Sequence, residues 1–233
     1  MNNDTRNRGS ILAPAVIAAG LAYFLALRPW HLRWGATEEE VTAALPGDEI
    51  SSGDAGVTHA ITIDAPPEDV WPWILQIGQD RGGFYSYTFL ENLVGCRMKN
   101  VTRIIPEWQT VSVGDIVWFG TPEHFGGKAR MVATIIEAER AMVLATPEDW
   151  PAIQAGERGR GPTWAFILKP TSNGGTRLLT RTHREARPGL RTRVALLAFW
   201  EPAHFVMERK MLLTIKHLAE TRSAANRCQH VAA

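Results

Sequence analysis

The stretch ITIDAPPEDVWPWILQIG, residues 61–78, decides the fold. Alternation of apolar and polar residues over 57–63 predicts a β-strand that ends in this stretch. Pro66 and Pro67, behind Asp64, are typical of a helix start, and apolar residues follow at helical spacing until Gly78. A strand that leads directly into a short helix therefore opens the folded body near Val57.

The middle of the chain is predicted to form mainly strands. A second short helix is predicted over 86–94, and five later segments are predicted to be strands: 115–119, 129–138, 141–145, 163–169 and 176–184. Gly126-Gly127, Glu139-Arg140 and Asn173–Gly175 supply turn signals for antiparallel hairpins. Residues 147–162 form a longer loop between two of the strands.

The last element is a long helix predicted over 202–222. Met207, Met211, Ile215 and Leu218 lie on one of its faces at spacings of four, four and three. The first strand must also pair in order to hide its edge. The element order therefore predicts an α+β fold, in which a curved antiparallel sheet wraps around the C-terminal helix and leaves a hollow between the two.

Several segments resemble the START-related, Bet v 1-like (SRPBCC) superfamily, which includes polyketide cyclases. They are ITIDAPPEDVWPWILQIG (61–78), GGFYSYTFLENLVG (82–95), RIIPEWQ (103–109), VGDIVWF (113–119) and HFVMERKMLLTIKHLAE (204–220). The resemblance spans about 57–222 and includes features of a poorly characterised bacterial branch. It implies the helix-grip fold and a cavity for a hydrophobic ligand. It implies no reaction, because members include carriers, hormone receptors and cyclases.

The N-terminus contains an uncharged segment, residues 9–27, of which 11–27 is strongly apolar. Its length is close to the roughly 20 residues that span a bilayer. Arg28, Trp30, Arg33 and Trp34 follow it and suit a headgroup region. We expect a single-pass membrane anchor whose orientation is open. A cleaved signal peptide and a helix packed on the domain are the alternatives.

These features divide the chain into four parts. Residues 1–34 form the hydrophobic, membrane-anchor segment, and 35–56 form a linker that begins with a short helix. Residues 57–222 form the helix-grip ligand-binding domain, and 223–233 form a tail.

Composition and motifs exclude several classes of function. The net charge is +1, from 25 Lys and Arg against 24 Asp and Glu, which argues against nucleic-acid binding. Cys96 and Cys228 lie far apart without a Cys/His cluster, so we expect no metal site. The sequence lacks GxSxG, Walker and HExxH motifs, and nothing in it indicates a cofactor. The oligomeric state is open.

Large and polar side chains at inward positions are candidates for lining the hollow. Met and Trp pack well around irregular apolar ligands, although they also fill solid cores. His183 shares a strand side with Arg181 and is a candidate acid or base, although a strand-end histidine is also typical of a solvent-exposed site. The candidates are Phe89, Glu91, Trp118, Trp164, Phe166, Arg181, His183, Met207 and Met211.

Glu201, His204 and Glu208 lie along one side of the last helix. Glu-x-x-His also occurs in di-iron helix bundles, but such sites need a matching motif on another helix, and the motif occurs once here. A surface or capping role is the favoured interpretation of these three residues.

Three hypotheses on function follow. The first is a membrane-anchored domain that binds or carries a hydrophobic small molecule such as a lipid, isoprenoid or polyketide, with loop 147–162 or the helix end as a gate. The second is a cyclase- or dehydratase-like enzyme, in which His183, Glu91 or Arg181 moves protons on an enolisable substrate. The third is an interaction module with a filled core.

Overall fold

The computed structural model describes Pro14, Ala18 and residues 20–231. The helices are α1 (Arg28–Leu32, after a π-helical turn Tyr23–Leu27), α2 (Glu38–Thr42), α3 (Pro67–Leu75), α4 (Thr88–Leu93), α5 (Pro122–Phe125), α6 (Trp150–Gln154), α7 (Leu190–Ala195, followed by a π-helical turn Leu196–Trp200) and α8 (Glu201–Val231). The strands are β1 (Ala55–Ile63), β2 (Ile116–Trp118), β3 (Arg130–Glu137), β4 (Ala141–Ala145), β5 (Thr163–Pro170) and β6 (Thr176–His183).

The six strands form one antiparallel sheet in the order β1-β6-β5-β4-β3-β2. β1 pairs along its length with β6, the last strand in the chain, so that Ile61 faces Leu178. Register shifts near Ala55 in β1 and near Ala133 in β3 add local twist. Each strand predicted from the sequence is therefore present, and the first strand is hidden by pairing as expected.

Helix α8 packs on the inner face of this sheet. Its Met211, Leu212 and Ile215 belong to one buried cluster with Phe166 of β5 and Leu178 of β6. Residues of α3 join the same cluster from the side, among them Trp71, Trp73 and Ile74. The predicted α+β helix-grip arrangement is confirmed by this topology. The helix also continues to Val231, past the end predicted at Arg222.

The outer face of the sheet is covered by the segment predicted as a linker, residues 35–56. Leu45 is buried there with Val143, Ala165 and Leu179. Helix α2 begins with a capping box, in which the Thr37 side chain and the Glu40 side chain cap each other's backbone amides at 3.2 and 2.8 Å. At least part of 35–56 therefore belongs to the folded body.

Within the strongly apolar part of the predicted membrane anchor, 11–27, residues 11–13, 15–17 and 19 lie outside the described residues. Within the described part of the chain, no helix combines the length and the apolar content needed to cross a bilayer. Residues 20–32 are helical and pack on the start of α8. The Trp30 and Phe205 rings lie 5.3 Å apart, and the Tyr23 hydroxyl lies 3.5 Å from the Leu197 carbonyl oxygen.

Arg181 holds the 35–56 segment on the sheet, and we predict a large loss of stability for Arg181→Met. Its guanidinium donates to Asp48 and to the Glu40, Val41 and Ala43 carbonyls at 2.7–2.8 Å, and the residue is only 2% exposed. The substitution removes the donor to three backbone carbonyls and the buried cation that pairs with Asp48. It should lower the free energy of unfolding by about 3–5 kcal/mol in urea titrations.

The matched control is Arg140→Met, because the Arg140 side chain is 70% exposed and pairs only with Glu137. Its effect should stay within about 0.5 kcal/mol. Equal effects of the two substitutions would contradict the assignment of Arg181 as the tie between this segment and the sheet.

Candidate functional site

The space predicted as a hollow between the sheet and α8 is occupied by side chains. Trp164, Phe166 and Met211, all predicted to line it, are buried members of the main core. The Trp164 ring centroid lies 4.5 Å from that of Phe166 and 5.9 Å from that of Phe84. These residues pack against one another, and the prediction of a hollow at this level is wrong.

Four other candidates lie away from any common point. Phe89 is 73% exposed on α4, and Trp118 lies on edge strand β2 with the Arg130 guanidinium 5.5 Å from its ring centroid. Met207 is half-buried, and its carbonyl accepts a hydrogen bond from the Ser86 hydroxyl at 2.9 Å. Glu91 is half-buried on α4, where burial raises the pKa of its carboxyl to about 7.

Arg181 and His183 face the outer side of the sheet. Alternate residues of a strand face opposite sides, so both share the side of Leu179, which packs beneath 35–56. His183 Nδ1 lies 2.9 Å from Thr163 Oγ1, and its Nε2 lies 3.2 Å from Asp48. His183 is 4% exposed. It therefore neither faces α8 as predicted nor lies in solvent, which was the alternative.

On the inner face the structure assembles a different set of polar groups, which we call the buried carboxylate cluster: Glu208, His59, His204 and Trp164. Glu208 accepts from Trp164 Nε1 at 2.7 Å and contacts His59 Nδ1 at 2.5 Å. His204 Nε2 lies 3.3 Å from the same carboxylate. His59 Nε2 lies 2.7 Å from the His31 carbonyl oxygen, so His59 faces an acceptor at each ring nitrogen.

The charges in this cluster stabilise one another. Burial by itself would raise the pKa of Glu208, but the charges and hydrogen bonds of His204 and His59 hold it well below its usual range. For His204, burial opposes the charged form, while the Glu208 carboxylate and its hydrogen bond outweigh burial and raise the pKa of the imidazole. The His204 side chain keeps an exposed edge, 15% of its surface.

A second buried carboxylate, Glu201, lies at the start of α8. It pairs with Arg28 at 2.8 and 2.9 Å and with Arg184 at 3.0 Å, and it is 4% exposed. The two bonds from Arg28 form a bidentate pair. Glu201 thus joins the N-terminal helical segment, the end of β6 and the long helix.

The expectation that Glu201, His204 and Glu208 share one helix side agrees with these contacts, but their interpretation as surface residues is wrong. The sequence analysis missed His59 and Trp164 as partners of Glu208. One signal for His59 was available, since His59 lies on the same strand side as Val57, Ile61 and Ile63. A histidine among apolar residues on a buried strand face requires a polar partner.

Beside Glu201 lies a cavity of about 890 Å³. It is bounded by the N-terminal helical segment, by 52–54, by 184–188 after β6, and by the turn after α7. Its cations are Arg28, Arg160, Arg184, Arg187 and Arg193, its acids are Asp54, Glu185 and Glu201, and its apolar lining includes Phe24, Pro188, Leu196 and Leu197. The wall therefore combines a cationic part with an apolar part.

Three of these arginines are available to a guest. Arg28 and Arg184 are held by Glu201, whereas Arg160, Arg187 and Arg193 take part in none of the ion pairs found among the described residues. All three are exposed to solvent. An anion that entered the cavity would meet these guanidinium groups without displacing an existing partner.

No set of three His, Cys, Asp or Glu side chains is arranged to hold a metal ion within residues 20–231 or at Pro14 and Ala18. The Glu201–His204 pair therefore has no second motif of the kind that di-iron sites require.

No protein-family model matches this chain, and no curated protein matches it. Similar solved structures include a polyketide cyclase-like protein from Corynebacterium glutamicum, with 18% identity, a TM-score of 0.30 and coverage of 75% of this chain and 91% of that one. Truncated norcoclaurine synthase from Thalictrum flavum has 16% identity, a TM-score of 0.35 and coverage of 70% and 91%. The Aha1 dimer from Colwellia psychrerythraea has 17% identity, a TM-score of 0.37 and coverage of 70% and 94%.

Likenesses this low give no information on a ligand or a reaction. The helix-grip fold that the resemblance implies is confirmed. That assignment rests on the strand order and on the long helix packed across the inner face.

The raised pKa of His204 predicts a pH-dependent contribution to stability. The contribution is full below the unfolded-state pKa of 6.5 and is lost as the pH rises through the higher folded-state pKa. At pH 6, His204→Asn should lower the free energy of unfolding by about 1.5–3 kcal/mol. The difference from the wild type should shrink as the pH is raised above 6.5, measured by urea unfolding at several pH values.

The matched control is His217→Asn, at an exposed position of the same helix. It should show neither the loss nor its pH dependence. A wild-type minus His204→Asn difference that stays constant between pH 5.5 and 9, a range of about 3.5 units, would show that folding does not raise the pKa of His204.

Proposed function

We propose that this protein binds an amphiphilic anion, an apolar chain with an acidic head group, in the cavity beside Glu201. The observation behind the proposal is the composition of the cavity wall, where Arg160, Arg187 and Arg193 lie together with Phe24, Leu196 and Leu197. The cationic part of the wall restricts the class of ligand, from any hydrophobic small molecule, as expected from the sequence, to acidic lipids, isoprenoid phosphates or acidic polyketides.

The size of the cavity suits such a guest. Sites for small molecules commonly measure about 300–1,000 Å³, and this cavity measures about 890 Å³. Guanidinium groups bind carboxylates and phosphates through paired hydrogen bonds, which supports an acidic head group. The apolar side chains on the other part of the wall would take the chain of the guest out of water.

Glu201 fixes the position of two arginines in the cavity wall. Because its carboxylate holds Arg28 and Arg184 from two sides, these guanidinium groups are kept in place before a guest arrives. A site held in position by such supporting contacts loses less conformational entropy on binding. In this proposal, Arg28 and Arg184 shape the site, whereas Arg160, Arg187 and Arg193 contact the head group.

The proposal includes attachment to a membrane through the uncharged segment 9–27, as expected from the sequence. The helical residues 20–32 extend this segment directly to the cavity, since Phe24 and Arg28 belong to the cavity wall. A lipid-like guest would then have a short path between the bilayer and the site.

An enzyme of the cyclase or dehydratase kind is the second candidate, and the buried carboxylate cluster is the observation that favours it. His204 would act as the acid or base, because it keeps an exposed edge and is oriented by Glu208. It takes the place of Glu91, which lies on α4, and of Arg181 and His183, which both contact Asp48 on the outer side of the sheet. His204→Asn would then abolish turnover of an enolisable substrate while leaving its binding intact.

Binding of a fluorescent long-chain fatty acid tests the first candidate. We expect Arg160→Ala together with Arg187→Ala to weaken binding to the full chain at least tenfold, because each lost charge-assisted hydrogen bond contributes about 1.5–3 kcal/mol. Leu197→Trp, which narrows the apolar part, should also weaken binding. The measurement is a fluorescence titration of the detergent-solubilised protein.

The control variant is Arg140→Ala, at an exposed arginine outside the cavity. The control probe is the alcohol with the same fluorescent chain. The wild type should prefer the acid, and the preference should vanish in the arginine double variant. If the acid and the alcohol bind equally, or if Leu197→Trp has no effect on either, the proposed site is wrong.

A further inference from the structure

Two neighbouring helical segments expose large apolar side chains at the same end of the molecule. In the first segment, residues 20–32, the exposed residues are Leu21, Phe24, Leu25, Leu27 and Trp30, each at least 51% exposed. In the second, residues 187–200, they are Leu190, Val194, Phe199 and Trp200, at 78, 58, 71 and 56%. We call these nine residues the apolar end surface.

The two segments are joined to each other, so the surface is continuous. The Tyr23 hydroxyl lies 3.5 Å from the Leu197 carbonyl oxygen, and Arg28 pairs with Glu201 immediately after the second segment. Soluble monomers rarely expose contiguous apolar patches larger than a few hundred Å². This concentration of exposed leucine, phenylalanine and tryptophan therefore calls for an apolar partner.

The charges around the surface indicate which partner. The segment RPGLRTRVALLAFW, residues 187–200, has Arg187, Arg191 and Arg193 and no acidic residue. Residues 20–34 also lack acidic residues, but their Arg28 and Arg33 pair with Glu201 and Glu38. Arg187, Arg191 and Arg193 are exposed. Exposed apolar and tryptophan side chains beside such cations are typical of helices that lie in a membrane interface, where cations meet anionic headgroups.

A second copy of the chain fits this surface less well. A symmetric dimer places the same patch of each subunit against the other, which would bring Arg191 and Arg193 of one copy close to those of its partner. Like charges at such an interface are unfavourable. An anionic lipid surface has the opposite charge and accepts the apolar side chains between its headgroups.

We infer that residues 187–200, together with the exposed side of 20–32, dock on an anionic lipid bilayer, with α7 and its following turn lying in the interface. The part of this contact made by 187–200 is separate from the spanning anchor expected over 9–27, because this segment lies more than 150 residues later in the chain. Leu190, Val194 and Phe199 enter the apolar zone, and Arg191, which lies outside the cavity wall, contacts the headgroups.

Docking has a consequence for the cavity beside Glu201, and this step rests on the proposed function. Phe24 of the first segment and Arg193, Leu196 and Leu197 of the second belong to the cavity wall. A bilayer in contact with both segments would therefore meet the cavity at their junction. An acidic lipid could pass between the bilayer and the cavity without crossing water.

The test measures how deeply a fluorescent probe, attached at a single position of the full chain, enters the bilayer. Cys96 and Cys228 are free thiols, so Cys96→Ser and Cys228→Ser provide a background for labelling. An environment-sensitive fluorophore is attached after Leu190→Cys or Phe199→Cys, both at exposed positions. Vesicles consist of phosphatidylcholine with or without phosphatidylglycerol, and some of the lipid chains bear a quencher.

We expect strong quenching and a blue shift at both positions with phosphatidylglycerol vesicles, and weaker effects without the anionic lipid. The control probe follows Asn173→Cys, in the β5–β6 hairpin at the other end of β6, where an anchored chain should show little quenching. Attachment through 9–27 would by itself bring positions 190 and 199 near the bilayer, because the two segments are in contact. The dependence of quenching on phosphatidylglycerol therefore distinguishes docking from attachment alone.

The second part of the test is a charge-reversal variant. Arg191→Glu lies outside the cavity wall and should weaken the anionic-lipid-dependent docking reported by quenching at position 199 about thirtyfold. One basic residue near an anionic surface contributes about 1 kcal/mol, reversal doubles the change, and about 1.4 kcal/mol corresponds to tenfold. Retained far-ultraviolet circular dichroism shows that the variant is folded.

The inference is overturned if probes at 190 and 199 are quenched no more than the probe at 173. It is also overturned if the 190 and 199 probes become shielded with rising protein concentration in the absence of vesicles, which would identify a second copy as the occupant. The experiments contain no fatty acid, so failure of ligand binding leaves their outcome unchanged.

Discussion

Two carboxylates buried on one side of α8 constrain how this molecule is assembled. A buried charge is costly unless it is paired and hydrogen-bonded, so Glu201 and Glu208 must each meet cationic or donor groups from other segments. Glu208 meets His59 of β1 and Trp164 of β5, which fixes the rotation of the helix over the sheet. Glu201 meets Arg28 and Arg184, which fixes the N-terminal helical segment at the start of the helix.

Local signals were sufficient to predict the fold. Alternation over 57–63, the paired prolines at 66 and 67, and the glycine turns between later strands each specify a structure through nearby residues. That β1 must pair followed from the need to hide an edge, but its partner, the distant β6, was not predicted. The continuation of α8 beyond Arg222 was not predicted, because residues 223–231 lack a clear apolar face and end without a stop signal.

The site was harder to predict because its members depend on which segment covers each face of the sheet. Arg181 and His183 are two positions apart in one strand, so the sequence predicts that they share a side of the sheet. It does not reveal that 35–56 occupies that side. Trp164 and Phe166 were correctly placed on the inner face, and whether such rings line a hollow or fill it depends on packing across the whole core. Glu201 and Glu208 share a helix side, yet their partners come from distant segments, which no local pattern specifies.

The position of the cavity follows from these same constraints. Under the middle of α8, aromatic rings and the Glu208 cluster fill the space between helix and sheet, so an apolar guest would have to displace a close-packed core. At the start of α8 the sheet ends at His183, and the wall is completed by loops and by two helical segments whose other side chains point outward. Such a wall can hold arginines at one part and phenylalanine or leucine at another, because neither part has to pack into the core. A guest with an acidic head and an apolar chain has matching parts, and a lipid surface against the exposed side of the same segments would satisfy the remaining apolar groups.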